Sequence, residues 1–178
     1  MSESKIIEEL KASIRNIPDF PKPGIQFKDI TTLLQNPVYL QTLINLLVKK
    51  YQNLGITKVC CIESRGFFIG SIVAYKLNAG IVPIRKPGKL PAETISKSFT
   101  LEYGEDSLEI HTDALTKDDV VLMHDDLLAT GGTAEAAQNL ALDFRIAELY
   151  MNFIIELDFL KGRDKLNKNY DIHTLIHF

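Results

Sequence analysis

Apolar side chains open the chain at helical spacing, with Ile6, Ile7, Leu10 and Ile14 on one face. The pattern breaks at Ile17-Pro18-Asp19-Phe20-Pro21-Lys22-Pro23-Gly24, where three prolines and a glycine predict a stiff, irregular loop. Asn36-Pro37 then offers a capping side chain ahead of a first-turn proline. Leu40, Leu43, Ile44, Leu47 and Val48 supply the apolar stripe of the helix that follows. Beyond it the period alternates. Residues 58–62 read as a buried strand, 66–77 as a mostly apolar helix and 80–84 as a second strand, which together make a strand-helix-strand unit. Two short runs, 96–103 and 107–111, flank Gly104-Glu105-Asp106 and predict a hairpin standing off the main sheet. A strand over 119–125, a helix over 130–143 with Ala134, Ala137, Ala141 and Phe144 inward, and a strand over 146–155 complete the series. Leu142-Asp143-Phe144-Arg145 lacks the glycine that often ends a helix, so an unusual exit is expected there. The alternation predicts an α/β fold with a largely parallel central sheet flanked by helices on both faces.

Bulk properties narrow the possibilities. A chain of 178 residues, 46% hydrophobic and 24% charged, suits a single domain over 1–178. A net charge of -3 and a pI near 5.8 provide no positive field for a nucleic acid or an acidic membrane surface, so neither is expected as a partner. The two cysteines, Cys60 and Cys61, are adjacent within an apolar run, which points to reduced thiols and a cytoplasmic location. No leader pattern and no membrane-spanning apolar run is visible.

The segment richest in chemistry is Val120-Val121-Leu122-Met123-His124-Asp125-Asp126-Leu127-Leu128-Ala129-Thr130-Gly131-Gly132-Thr133-Ala134. An apolar strand ends in two carboxylates, then a glycine-containing turn enters a helix. Parallel sheets place ligands at the carboxyl ends of their strands, and helix amino termini present N–H groups to anions. Ala129, Thr130, Gly131, Gly132 and Thr133 are therefore read as a phosphate cradle. Asp125 and Asp126, which would repel a phosphate, suit sugar hydroxyls or a hydrated divalent cation. A tight turn with helix-capping acids is the plain alternative for the glycines alone. Neither Gly-x-x-x-x-Gly-Lys-Ser/Thr nor Gly-x-Gly-x-x-Gly occurs at a strand-helix turn.

The run 125–133 resembles the phosphoribosyl-pyrophosphate motif of the type I phosphoribosyltransferases, in the spelling of the family's adenine-using branch. The resemblance extends over Pro18-Asp19-Phe20-Pro21-Lys22-Pro23-Gly24, Phe27-Lys28-Asp29-Ile30, Glu63-Ser64-Arg65-Gly66-Phe67, Arg85-Lys86-Pro87-Gly88-Lys89-Leu90-Pro91, Leu101-Glu102-Tyr103-Gly104 and Leu108-Glu109-Ile110-His111. It implies the type I phosphoribosyltransferase fold, with a flexible hairpin and a small hood. It also implies transfer of the 5-phosphoribosyl group of phosphoribosyl pyrophosphate to adenine, giving AMP and pyrophosphate for purine salvage. Mg2+ would be carried by the substrate rather than caged by the protein, and the enzyme would be a homodimer.

By resemblance, Ser64 and Arg65 form a pyrophosphate-binding loop with a non-proline cis bond between Glu63 and Ser64. Arg85, Lys86 and Lys89 would complement the departing pyrophosphate, a role their charge density permits, although such a run is more often a solvated loop. Glu102 would handle a proton at the base, with Tyr103 beside it on a closing lid. Gln26, Phe27 and Lys28 would read the base, Phe27 stacking on it and the backbone meeting its edge; a core plug is the plain alternative for Phe27. Two departures from the family stand out: Lys28 occupies a position where Arg is common, and His124 replaces an apolar residue. A phosphoribosyl-pyrophosphate sensor and an enzyme for 6-oxo purines stay open as rivals. The short, acidic chain disfavours the former.

Overall fold

The structure is a computed structural model that describes residues 2–101 and 104–178. The chain forms two compact units, Met1–Lys50 and Tyr51–Phe178.

The first unit begins with α1 (Glu3–Ser13), whose amino terminus is capped by the Ser2 side chain, followed by β1 (Arg15–Pro18), β2 (Gln26–Asp29), α2 (Thr31–Gln35) and α3 (Pro37–Tyr51). The proline loop is less irregular than its composition predicts. Its two arms pair antiparallel, Pro18 opposite Gln26 and Arg15 opposite Asp29, because the turn between them is closed internally. Asp19, at φ 55°, accepts a 2.7 Å bond from the Gly24 amide, and the Phe20-Pro21 bond is cis. Arg15 and Asp29 form an ion pair at the far end of the ladder, with Nε of Arg15 3.1 Å from Oδ2 of Asp29. Burial works to raise the Asp29 pKa, but hydrogen bonds from Arg15 and Thr31 outweigh it and hold the carboxyl at about 2. Asn36 caps α3 as expected, its Oδ1 accepting from the amides of Val38 at 3.0 Å and Tyr39 at 3.3 Å.

The second unit contains β3 (Lys58–Ile62), α4 (Gly66–Leu77), β4 (Gly80–Ile84), β5 (Thr94–Leu101), β6 (Gly104–His111), β7 (Val120–Leu128), α5 (Gly132–Asp143), β8 (Glu148–Glu156) and β9 (Asp171–His177). Five strands form one sheet in the order β4-β3-β7-β8-β9, parallel throughout. Alternation along the strands decides which side each helix covers. Cys60, Val121, Met123, Leu149 and Met151 share a core with Ala134, Ala137, Leu140 and Ala141 of α5. Cys61 and His124 face the other way, where a Cβ on Gly70 of α4 would collide with the Cys61 sulfur. Both thiols are buried and free, and burial pushes Cys61 up to about 12. No helix among the described residues is long and apolar enough to cross a membrane.

Two features differ from the sequence reading. Residues 104–106 lie within β6 instead of forming its turn, because the antiparallel ladder runs on to Phe99↔Asp106, Thr100↔Glu105 and Leu101↔Gly104. Strand β9 follows two short 3-10 turns (Asp158–Leu160 and Gly162–Lys165) in a stretch whose apolar periodicity is weak. The exit of α5 is unusual as expected: with no glycine there, Arg145 itself takes φ 54°, so the left-handed turn is made at the cost of a Cβ clash.

Candidate active site

The carboxyl ends of β3 and β7 open onto a cleft of about 250 Å³. Its lining includes Glu63, Ser64, Arg65, Lys86, Phe99, Asp106, Asp125, Asp126, Ala129, Thr130, Gly131 and Thr133. Sequence-predicted groups from three loops thus converge on one space. Arg85, Lys89 and Gly132 are not among its described lining residues.

On the β3 side, the Glu63-Ser64 peptide is cis, as the resemblance implied. Gly66 begins α4 directly against β7, since a Cβ there would sit 3.0 Å from the His124 carbonyl oxygen and 3.1 Å from Oδ1 of Asp125. That absence of a side chain lets the Ser64-Arg65 turn reach the acidic pair. Arg65 Nε donates to Oδ2 of Asp126, whose side chain is 6% exposed.

Every predicted cation that lines the cleft has a carboxylate partner here. Lys86 Nζ lies 2.5 Å from Oδ2 of Asp106 on β6, and its backbone amide donates to Glu63 at 3.1 Å. Arg85, which is not among the lining residues, donates through Nε to Glu63 at 2.9 Å and through Nη1 to the Lys89 carbonyl at 3.2 Å. A backbone bridge between Arg85 and Glu109, with the Gly88 amide on the Glu109 side chain at 3.1 Å, stitches this basic loop to β6. Asp106 was not singled out in the sequence, where it reads as one more turn acid. Only the paired register of β5 and β6 brings it to Lys86. The Lys86 hydrogen bond is the main cause of its lowered pKa.

The two acids of β7 are unlike. Burial first, and then the charge of Asp126, push the Asp125 carboxyl well above the usual carboxylate range. Asp125 Oδ1 accepts from the Asp126 amide at 2.9 Å. Beyond them the chain turns at Gly131, which has φ 84° and sits at the N-cap of α5, leaving the helix amino terminus at the cleft edge.

His124 is fully buried and its pKa falls to about 4 because burial disfavours the charged ring. Its Nδ1 lies 2.8 Å from Oδ1 of Asn152, and Nδ2 of Asn152 lies 3.3 Å from Nδ1 of His173. Nε2 of His124 has no hydrogen-bond partner among the described residues.

Gln26, Phe27 and Lys28 occupy β2 of the first unit. Gln26 is exposed and accepts from Asn16 Nδ2 at 2.7 Å, while Phe27 is half-buried. Phe20 meets Phe27 edge to face, with ring centroids 5.2 Å apart, and is itself 50% exposed. Phe27 is thus packed against a loop residue without being fully buried. Glu102 and Tyr103 lie outside the described residues.

Residues 29–168 match the family described as phosphoribosyl transferase domain. An adenine phosphoribosyltransferase of Bacteroides thetaiotaomicron is 53% identical over 169 residues, covering 95% of this chain and 96% of that protein. The chain belongs to the adenine phosphoribosyltransferase family. Solved members of the family share its fold closely. The crystal structure of the Rhodothermus marinus adenine phosphoribosyltransferase superposes with a TM-score of 0.93 at 48% identity, covering 98% of this chain and 99% of that one. The Saccharomyces cerevisiae adenine phosphoribosyltransferase, complexed with an iminoaltritol bisphosphate and adenine, superposes with a TM-score of 0.90 at 39% identity, covering 97% and 99%. The type I phosphoribosyltransferase fold, with its parallel five-stranded sheet flanked by helices, is thus that of the family.

Proposed function

We propose that the chain catalyses transfer of the 5-phosphoribosyl group from phosphoribosyl pyrophosphate to adenine, giving AMP and pyrophosphate, as a cytoplasmic purine-salvage enzyme that works as one phosphoribosyltransferase unit and as a homodimer. The observation that carries this reading is the convergence of Asp125 and Asp126, of Ala129, Thr130, Gly131 and Thr133 from the following loop, and of the cations Arg65 and Lys86 on one cleft.

The roles follow from charge. The loop 129–133 takes the 5′-phosphate on its N–H groups, and Asp125 and Asp126 face the ribose hydroxyls. Ser64, Arg65 and Lys86 receive the pyrophosphate, with Arg85 and Lys89 shaping the loop that carries Lys86. As the bond at the anomeric carbon lengthens, charge grows on the departing pyrophosphate, and these preorganised donors lower its energy. A nitrogen of adenine attacks the opposite side of that carbon. Gln26, Phe27 and Lys28 hold the base, Phe27 by stacking, while Glu102 manages the proton at the base and Tyr103 helps exclude water.

Hard oxygen donors from Asp125 and Asp126 fit Mg2+, which binds through one or two carboxylates together with substrate phosphates. Arg65 already engages Asp126, so the chain itself offers few ligands and the substrate would hold most of the ion. When bound, the ion neutralises part of the pyrophosphate charge. The cluster Glu156, Asp158 and His177 is a poorer candidate, because Arg163 and Thr174 already occupy the Glu156 carboxylate.

Pyrophosphate release measured with adenine, hypoxanthine and guanine tests the proposal. Preference for adenine by about 10⁴ in kcat/KM is expected, since the wrong base leaves buried polar groups unpaired. Equal use of a 6-oxo purine refutes the base assignment, and absence of pyrophosphate release with every base refutes the transfer.

A further inference from the structure

The geometry points to Gly162 as a positioning residue that sets the 5′-phosphate loop from behind, an inference that rests on reading 129–133 as the phosphate cradle. Gly131 and Gly162 meet backbone to backbone. A Cβ on Gly131 would collide with the Gly162 carbonyl oxygen, and a Cβ on Gly162 would collide with the Ala129 carbonyl oxygen and lie 2.9 Å from the Gly131 amide nitrogen. The two glycines are required for different reasons. Gly131 has φ 84°, a conformation that itself favours glycine, whereas Gly162 has an ordinary φ and is needed only for the close approach. Any larger residue at 162 must push the loop or retreat from it.

Retreat is opposed on both sides. Immediately after Gly162, Arg163 spreads its guanidinium over three acceptors: Glu156 at 3.0 and 2.5 Å, the Ile172 carbonyl at 2.6 Å and Thr174 Oγ1 at 3.0 Å. Thr174 closes the set by donating to Glu156 at 2.7 Å, so the turn is tied to the ends of β8 and β9. Farther along, the Asn167 amide donates at 2.8 Å to Oε1 of Gln138, a buried side chain on α5. The Leu157 amide reaches the Leu128 carbonyl at 3.0 Å, fixing the end of β8 to the end of β7. The segment thus grips the strand before the loop and the helix after it, and Gly162 presses on the loop between. A substitution there moves the loop, not the backing. The loop's N–H groups, aimed by its backbone, then lose their alignment on a phosphate. Gly162 does not line the cleft, so its effect on the ligand runs through the loop.

The selective readout is which ligands suffer. In the full chain, isothermal titration with AMP, ribose 5-phosphate and inorganic pyrophosphate is compared between wild type and Gly162→Ala. The variant is expected to weaken AMP and ribose 5-phosphate by about 10- to 100-fold and to raise KM for phosphoribosyl pyrophosphate in step, while pyrophosphate affinity stays within about twofold. If Gly162→Ala does not fold, Arg163→Lys, which keeps the charge but loses the fork, is expected to give the same selectivity at about 3- to 10-fold. Unchanged AMP and ribose 5-phosphate affinity in the folded variant, or equal loss for all three ligands, overturns the positioning role. Wild type that binds pyrophosphate but neither 5′-phosphate ligand instead overturns the cradle reading, and the role of Gly162 with it.

Discussion

Arg65 and Asp126 are 61 residues apart in sequence and hold each other in an ion pair at the cleft. A cation read as a pyrophosphate ligand and an acid read as a sugar ligand are therefore paired with each other. The pairing compensates a nearly buried carboxylate. Asp126→Asn should leave the fold intact and lower kcat by about 10²- to 10³-fold, the scale of losing one preorganised electrostatic contact. Near-normal steady-state turnover in the variant would remove Asp126 from the site.

Lys86 is held in the same way by Asp106, on a more exposed pair. Asp106→Asn should free the ammonium and tighten pyrophosphate binding, whereas Lys86→Met should weaken it. Since exposed pairs contribute up to about 1 kcal/mol, a gain of about 2- to 5-fold in affinity is expected for the first variant. Titration calorimetry with pyrophosphate decides the sign, and weaker binding in Asp106→Asn would show that Asp106 supports the ligand.

Asp125 connects function to stability. Its folded-state pKa lies well above the unfolded value of 3.8, so the native state's preference for the protonated acid is fully present below pH 3.8 and is lost as pH rises through the folded pKa. Asp125→Asn, a neutral isostere that keeps an acceptor for the Asp126 amide, escapes that loss. Its melting temperature should match wild type at the acid end and exceed it increasingly toward pH 8, by about 2–4 °C per kcal/mol recovered. Turnover should collapse in the same protein. A lower melting temperature at pH 8, measured by scanning calorimetry, would contradict the assigned burial cost.

Asp29 behaves oppositely. With its pKa depressed from 3.8 to about 2, it contributes stability that is present above pH 3.8 and lost as pH falls through about 2. Asp29→Asn should destabilise the protein near neutrality by about 2 kcal/mol, the scale of a charged hydrogen bond. The gap from wild type in urea melts should close across that acid window. A gap independent of pH would mean that the residue acts through packing alone.

The strands and helices around the cleft were legible because their apolar period changes sharply. The predicted bounds of β3, α4 and β4 match the structure, and the strand-helix turn that borders the cleft was marked by two acids and two glycines. Pairing between distant segments was not legible. Nothing near Asp106 signals Lys86, and Gly162 stands in a polar stretch whose turns depend on Arg163 reaching other strands. The β1-β2 ladder was hidden by prolines, which composition assigns to a loop but which occupy the end of one strand and the turn.

Buried His124 and Asn152 continue to half-buried His173 as a chain of polar side chains. These residues are direct cross-strand neighbours on β7, β8 and β9 and form a single row across the sheet. Sliding one strand by one residue would turn a polar side chain onto the opposite face; sliding it by two would separate it from its partner. Either displacement leaves unsatisfied buried groups, at about 1–3 kcal/mol each. His124 and its two neighbours thus act as an alignment mark, allowing three largely apolar strands only one way to lie together.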